Sequence, residues 1–117
     1  MNIIFGTAEA TKIQEKYIVL ELDMITIKSS DPINTYCVLE TVPLEELAGV
    51  EIFKKLHADL ILNYRNRNWD FCNQALDQLI GRWGKEIDSF YEILKNRIVS
   101  FREQEPTDNW TYVIAKS

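Results

Sequence analysis

A chain of 117 residues with 46% hydrophobic and 26% charged side chains can bury a core, which takes it out of the low-hydrophobicity, high-charge range where chains stay disordered. Its formal net charge of -5 argues against a sequence-independent nucleic-acid surface, because displacing counterions from phosphates takes clustered Lys and Arg. No apolar run approaches the roughly 20 residues that cross a bilayer, and no basic segment followed by an apolar stretch and a small-residue cleavage site opens the chain, so a cytoplasmic protein without membrane contact is expected.

Asn2-Ile3-Ile4-Phe5 reads as a short strand ended by Gly6, and Thr7 as the cap of a brief helix through Ile13. From Tyr17 to Lys28 the apolar residues alternate over Leu20, Leu22 and Met24, then resume at Ile25 and Ile27. That single phase slip predicts a bend or bulge. Ser29-Ser30-Asp31-Pro32 supplies turn chemistry before a second strand, Ile33 to Leu39. The two strands form a hairpin, and a hairpin alone is marginal in water, so further strands or a helix must cover its apolar face.

After Pro43 the period becomes helical. A first segment runs from Leu44 or Val50 to Tyr64, with Ile52, Phe53, Leu56, Leu60 and Tyr64 on one stripe and Leu62 off it. A second runs from Trp69 to Trp83, aligning Cys72, Leu76, Leu79, Ile80 and Trp83, with Gly84 placed to end it. A third starts near Asp88 or Ser89, where Ser89 and Glu92 match a capping box, and carries Ile87, Phe90, Tyr91, Leu94, Ile98 and Phe101. Short connections force antiparallel neighbours. Past Glu105-Pro106-Thr107-Asp108-Asn109, the run Trp110 to Ile114 is expected to dock as a strand or extended tail. The predicted fold class is therefore α+β: an N-terminal β-hairpin with a short helix over residues 1–42, then a three-helix antiparallel region and a short extended C-terminal segment over 43–117.

Few side chains suggest chemistry. Cys37 and Cys72 have neither redox nor zinc spacing and read as core residues. His57, the one histidine, has no certifiable partner for metal binding or nucleophilic catalysis and reads as a helix-surface residue. Arg65 and Arg67, close together beside a predicted turn, read as loop solvation rather than a binding patch. No acid/base or nucleophile constellation is visible, so a complete small enzyme has little support.

The stretch Tyr64-Arg65-Asn66-Arg67-Asn68-Trp69-Asp70-Phe71-Cys72 resembles the junction between the two helices of a tetratricopeptide-type hairpin. An aromatic closes the first helix there, a polar turn follows, and an aromatic with a small residue opens the second; Cys72 takes the small-residue place. Tyr64, Trp69 and Trp83 are the expected anchors of this hairpin. Only one such unit is visible, whereas solenoids generally need three or more, so the expectation is one hairpin covered by a third helix.

In colinear order the two halves resemble a larger family. Asn2 to Leu39 looks like the C-terminal end of the catalytic domain of class III adenylate/guanylate cyclases: short strand, short helix, Glu21-Leu22-Asp23 strand ending in Lys28, turn, and a strand with Thr35-Tyr36. The remainder is similar to the extension that follows this domain in bacterial cyclases carrying an extracytoplasmic sensor of the CHASE type. Tyr64 to Asp70, Glu105 to Trp110 and Ala115-Lys116 carry that part of the likeness. The resemblance implies that Lys28 occupies the place of a lysine contacting the nucleotide's terminal phosphates, where an ammonium would neutralise charge on the triphosphate and the leaving pyrophosphate. The family follows that lysine with Gly-Lys-Gly or a close variant, whereas this chain has Ser29-Ser30-Asp31, so the second basic residue is replaced and an acid has entered.

The resemblance also implies what the chain lacks. The family's two metal-binding aspartates, its base-selecting residues and its transition-state Asn and Arg lie upstream of the matching region and have no counterpart here. Asp23 and Asp31 do not fit the metal-ligand pattern. No cofactor is expected in this chain, although a parent enzyme would need two divalent ions, Mg or Mn. The implied function is that of a catalytically incomplete C-terminal structural or regulatory segment of an enzyme converting ATP or GTP to a cyclic nucleotide in signal transduction. Its partner would be the remainder of a cyclase domain or a second copy. The alternative is a stand-alone helical-hairpin module that binds a protein partner through an apolar groove.

Overall fold

The β-branched and aromatic run Asn2–Phe5 forms β1, and Gly6 leaves it at φ 97°, a left-handed value that favours glycine. Helix α1 (Thr7–Ile13) follows. Its N-cap is Gly6 without a side-chain cap bond, and Thr7, expected as the cap, instead pairs its hydroxyl with the Tyr36 hydroxyl at 2.9 Å. A computed structural model describes residues 2–14, 17–27, 31–39, 50–83 and 85–116. The chain is α+β and divides into two units, Met1–Leu47 with Tyr112–Ser117, and Ala48–Thr111.

In the first unit, β2 (Ile18–Ile27) and β3 (Ile33–Leu39) form the antiparallel hairpin, β1 pairs antiparallel with β3, and α1 packs on β1 and β3. The final strand, β4 (Ile114–Lys116), returns to lie parallel beside β2, giving the order β1-β3-β2-β4. The phase slip is a bulge: Glu21 pairs with Tyr36 but Met24 with Asn34, so β2 inserts one extra residue. The insertion puts Ile25 on the same buried face as Leu20 and Leu22; in unbroken alternation Ile25 would face the other way. Beside the bulge, the buried Thr35 hydroxyl donates to the Asp23 carbonyl at 2.7 Å, which accounts for a threonine in this core.

The second unit is helical: α2 (Val50–Arg65), α3 (Trp69–Leu79) and α4 (Lys85–Glu103). Contacts pair the end of each helix with the start of the next, Tyr64 with Trp69 and Gly81 with Asp88, as up-down neighbours require. Cys72, Ala75, Leu76 and Leu79 face the core from α3, and Ile87, Phe90, Tyr91, Leu94 and Ile98 from α4. On α2 the buried residues are His57, Leu60, Ile61 and Tyr64: Leu60 and Tyr64 lie inside as expected, His57 and Ile61 join them, and Ile52, expected inside, is 69% exposed.

This burial corrects the reading of His57. Far from lying on the surface, it is 1% exposed, with Nδ1 2.9 Å from the Tyr91 hydroxyl on α4. A buried polar ring is tolerated when it is hydrogen-bonded, and this bond ties α2 to α4 across the core.

Two helix ends also differ from expectation. Helix α3 stops at Leu79 rather than Trp83, because Ile80 (φ -60°, ψ 127°) and Gly81 (φ 89°) form a type II turn closed by Arg82 N–H donating to Leu79 O at 3.0 Å. Gly84, the expected stop, lies outside the described residues, and Trp83 sits past the helix, half-buried. Helix α4 begins at Lys85, placing Ser89 inside it, since the buried Ile87 already belongs to the helical stripe.

Candidate functional site

The α2–α3 turn is the most elaborated place in the helical unit. Arg67 N–H donates to Tyr64 O at 3.1 Å and Asn68 N–H to Asn63 O at 2.9 Å, the paired bonds of a Schellman helix ending. This ending needs a left-handed residue, and Arg67 supplies it at φ 64°, where glycine or asparagine is the usual choice. The turn throws the Arg67 side chain toward the segment that follows α4. Its guanidinium donates to Pro106 O at 3.1 Å and Thr107 O at 2.6 Å, and lies 5.1 Å from the centre of the Trp110 ring. Loop solvation, the expectation for Arg67, is therefore corrected: the side chain holds a segment about 40 residues away in sequence.

Four rings close around the same point. Trp69 stacks on Phe101 at 5.1 Å between centroids, and Trp110 meets Phe101 at 5.4 Å, Tyr64 at 6.0 Å and Trp69 at 6.1 Å in edge-to-face geometry. Tyr64 meets Trp69 at 5.9 Å. Such pairs add about 0.5–1.5 kcal/mol each beyond the area they bury. Trp69 is 7% exposed, and its indole N–H has no hydrogen-bond partner among the described residues, so the residue contributes through its ring face rather than its polar edge. Beside the rings, Arg102 donates to Asp70 at 2.6 Å, and a shallow cleft of about 350 Å³ is lined by Arg67, Asn68, Trp69, Asp70, Arg102 and Glu105. Both partners of the Arg102–Asp70 pair are solvated, so it adds little stability.

Of the residues singled out from sequence, Tyr64 and Trp69 come together here, and Trp83 lies past the opposite end of α3. Lys28, with Ser29 and Ser30 after it, lies outside the described residues. Phe101 was expected on the third helix's stripe and Trp110 in a docking segment, but their meeting with Tyr64 and Trp69, and the holding role of Arg67, are not legible in the sequence. The one available signal was an arginine, not a glycine, at the position where the helix had to end.

Cys37 and Cys72 are free and buried. Burial pushes the Cys72 thiol up to about 12, the backbone hydrogen bond opposing this only in part, and its Sγ lies 3.9 Å from Leu60 O. Among the described residues no cluster of three or more His, Cys, Asp or Glu side chains is placed to hold a metal ion, and no helix is long and apolar enough to cross a membrane. The α2–α3 turn gathers four rings, a guanidinium and two backbone carbonyls at one point.

Fold and site together define an α+β chain whose helical unit captures its own C-terminal segment in an aromatic slot. Comparison with protein-family models, with curated proteins and with solved structures finds no match to this chain.

Proposed function

We propose that the chain is the C-terminal structural or regulatory segment of a class III nucleotide cyclase, cytoplasmic and without catalysis of its own, in which a helical unit accompanies the end of the catalytic domain. One observation carries the reading. The two stretches on which the resemblance rests in the helical half, Tyr64–Asp70 and Glu105–Trp110, are distant in sequence, yet they meet in one cluster through Tyr64, Trp69, Arg67 and Trp110. A constraint shared by both stretches is what a family-specific junction requires, and the tetratricopeptide-like likeness of the α2–α3 hairpin fits the same view. The sheet adds support: Ile3 and Phe5 share one face of the edge strand β1 and are 45% and 55% exposed, with no charged residue or proline to block pairing, so this edge is suited to further strands.

Lys28 would then serve the nucleotide phosphates of the complete enzyme, with Mg or Mn held by residues outside this chain. The chain alone, given ATP or GTP with either metal, should form no cyclic nucleotide. Lys28→Ala in a complete parent enzyme should lower kcat through weaker stabilisation of the leaving pyrophosphate. Unchanged kinetics would remove Lys28 from the reaction, and cyclic nucleotide formation by the isolated chain would overturn the reading as a whole.

A further inference from the structure

The segment Pro106–Trp110 is held in the manner of a bound peptide. Its carbonyls at Pro106 and Thr107 are taken by one guanidinium, and a single side chain, Trp110, enters the slot between the rings. Main-chain bonds for affinity and a side-chain pocket for selectivity are the two parts of peptide recognition. The segment has no place in a helix or a sheet ladder, and Thr107, Asp108 and Asn109 are exposed. Within it, Trp110 N–H donates to Thr107 O at 3.0 Å, which shapes the turn that presents the indole. The residue on the receiving side, Arg67, is held in a left-handed conformation, and strain of this sort persists where it positions a binding group.

We infer that the α2–α3 turn is a peptide-recognition site for a short extended segment carrying a tryptophan three residues after an accepting carbonyl. Its occupant is this chain's own Pro106–Trp110, a ligand in cis that opens and closes while α2, α3 and α4 stay folded. The inference stands on the geometry of the helical unit and holds whether or not the cyclase reading does.

Two measurements on the full chain test it. In native-state hydrogen exchange, the Trp110 amide should exchange about tenfold or more faster than core α3 amides such as Leu76, through a sub-global opening. Equal rates at the two places would make the segment part of the core and overturn the inference. In the second measurement a fluorescent peptide spanning residues 105–116 is titrated into Trp110→Ala, whose own segment no longer fills the slot. Saturable binding is expected, about tenfold or more weaker to wild type because the segment in cis competes at high effective concentration, and lost in Arg67→Ala/Trp110→Ala. Equal binding to all three proteins, or none to a Trp110→Ala that keeps its far-UV circular dichroism, overturns it. Should Trp110→Ala fail to fold, the exchange rates in wild type decide.

Discussion

At Arg67 a backbone cost and a side-chain gain meet in one residue. A left-handed conformation costs a non-glycine residue about 1–2 kcal/mol, and here two charge-assisted hydrogen bonds and a cation–π contact offset it. The two contributions separate by substitution. Arg67→Ala keeps the strained backbone and loses the side chain, whereas Arg67→Gly loses the side chain and relieves the strain. Arg67→Gly should therefore be more stable than Arg67→Ala by about 1 kcal/mol in urea unfolding, less what the freer glycine costs in the unfolded chain. Equal midpoints would mean that φ at this position carries no penalty. Cys72 makes a different prediction. Burial pushes its thiol up from 9.0 to about 12, so the folded chain keeps a proton that the unfolded chain releases. The contribution is fully present below about pH 9 and is lost as pH rises from there toward 12. Between pH 9 and 11 the Tm of wild type should fall more steeply than that of Cys72→Ala, and parallel slopes would refute the shielding of the thiol.

At the scale of elements, apolar spacing was legible and helix ends were not. Periodicity in the sequence placed three long helices and a hairpin with one slip; β3 falls at the residues expected, and α1 ends where expected but begins one residue early. Ends were decided by partners. Gly81 ends α3 because its left-handed turn is completed by its N–H donating to Asp88 Oδ1 at 2.8 Å, on the following helix. A methyl group there would meet nothing within 4 Å, so Gly81→Ala should lose about 1 kcal/mol through backbone strain alone. A loss several times larger would point to packing that the open surroundings exclude. His57 shows the opposite failure: its spacing to Leu60, Ile61 and Tyr64 put it on the core stripe, but a polar residue with no visible partner was assigned to the surface. The partner, Tyr91, is 34 residues away.

For the whole molecule, the two units invite separate probes. The three tryptophans, Trp69, Trp83 and Trp110, all belong to the helical unit, so intrinsic tryptophan fluorescence reports that unit and amide exchange in β1, β2 and β3 reports the other. A small sheet with an apolar, unblocked edge has fewer buried contacts to lose on opening. Its amides should therefore exchange at lower opening free energy than those of α3 and α4. Comparable protection in both would weaken the view that this sheet is completed by further strands in a larger domain.

Strand and helix follow from the sequence because each depends on neighbours within one or two turns of chain: period two in β2, and a three-and-four spacing in α3 and α4. Even the bulge left its mark as a change of phase. Tertiary structure alone decided that Arg67 reaches Pro106 and Thr107, that Trp110 completes the ring cluster of Tyr64, Trp69 and Phe101, and that Ile114–Lys116 runs parallel to β2. Most of these contacts join residues about 40 or more apart, and no local period encodes which surfaces meet once the apolar stripes have been buried.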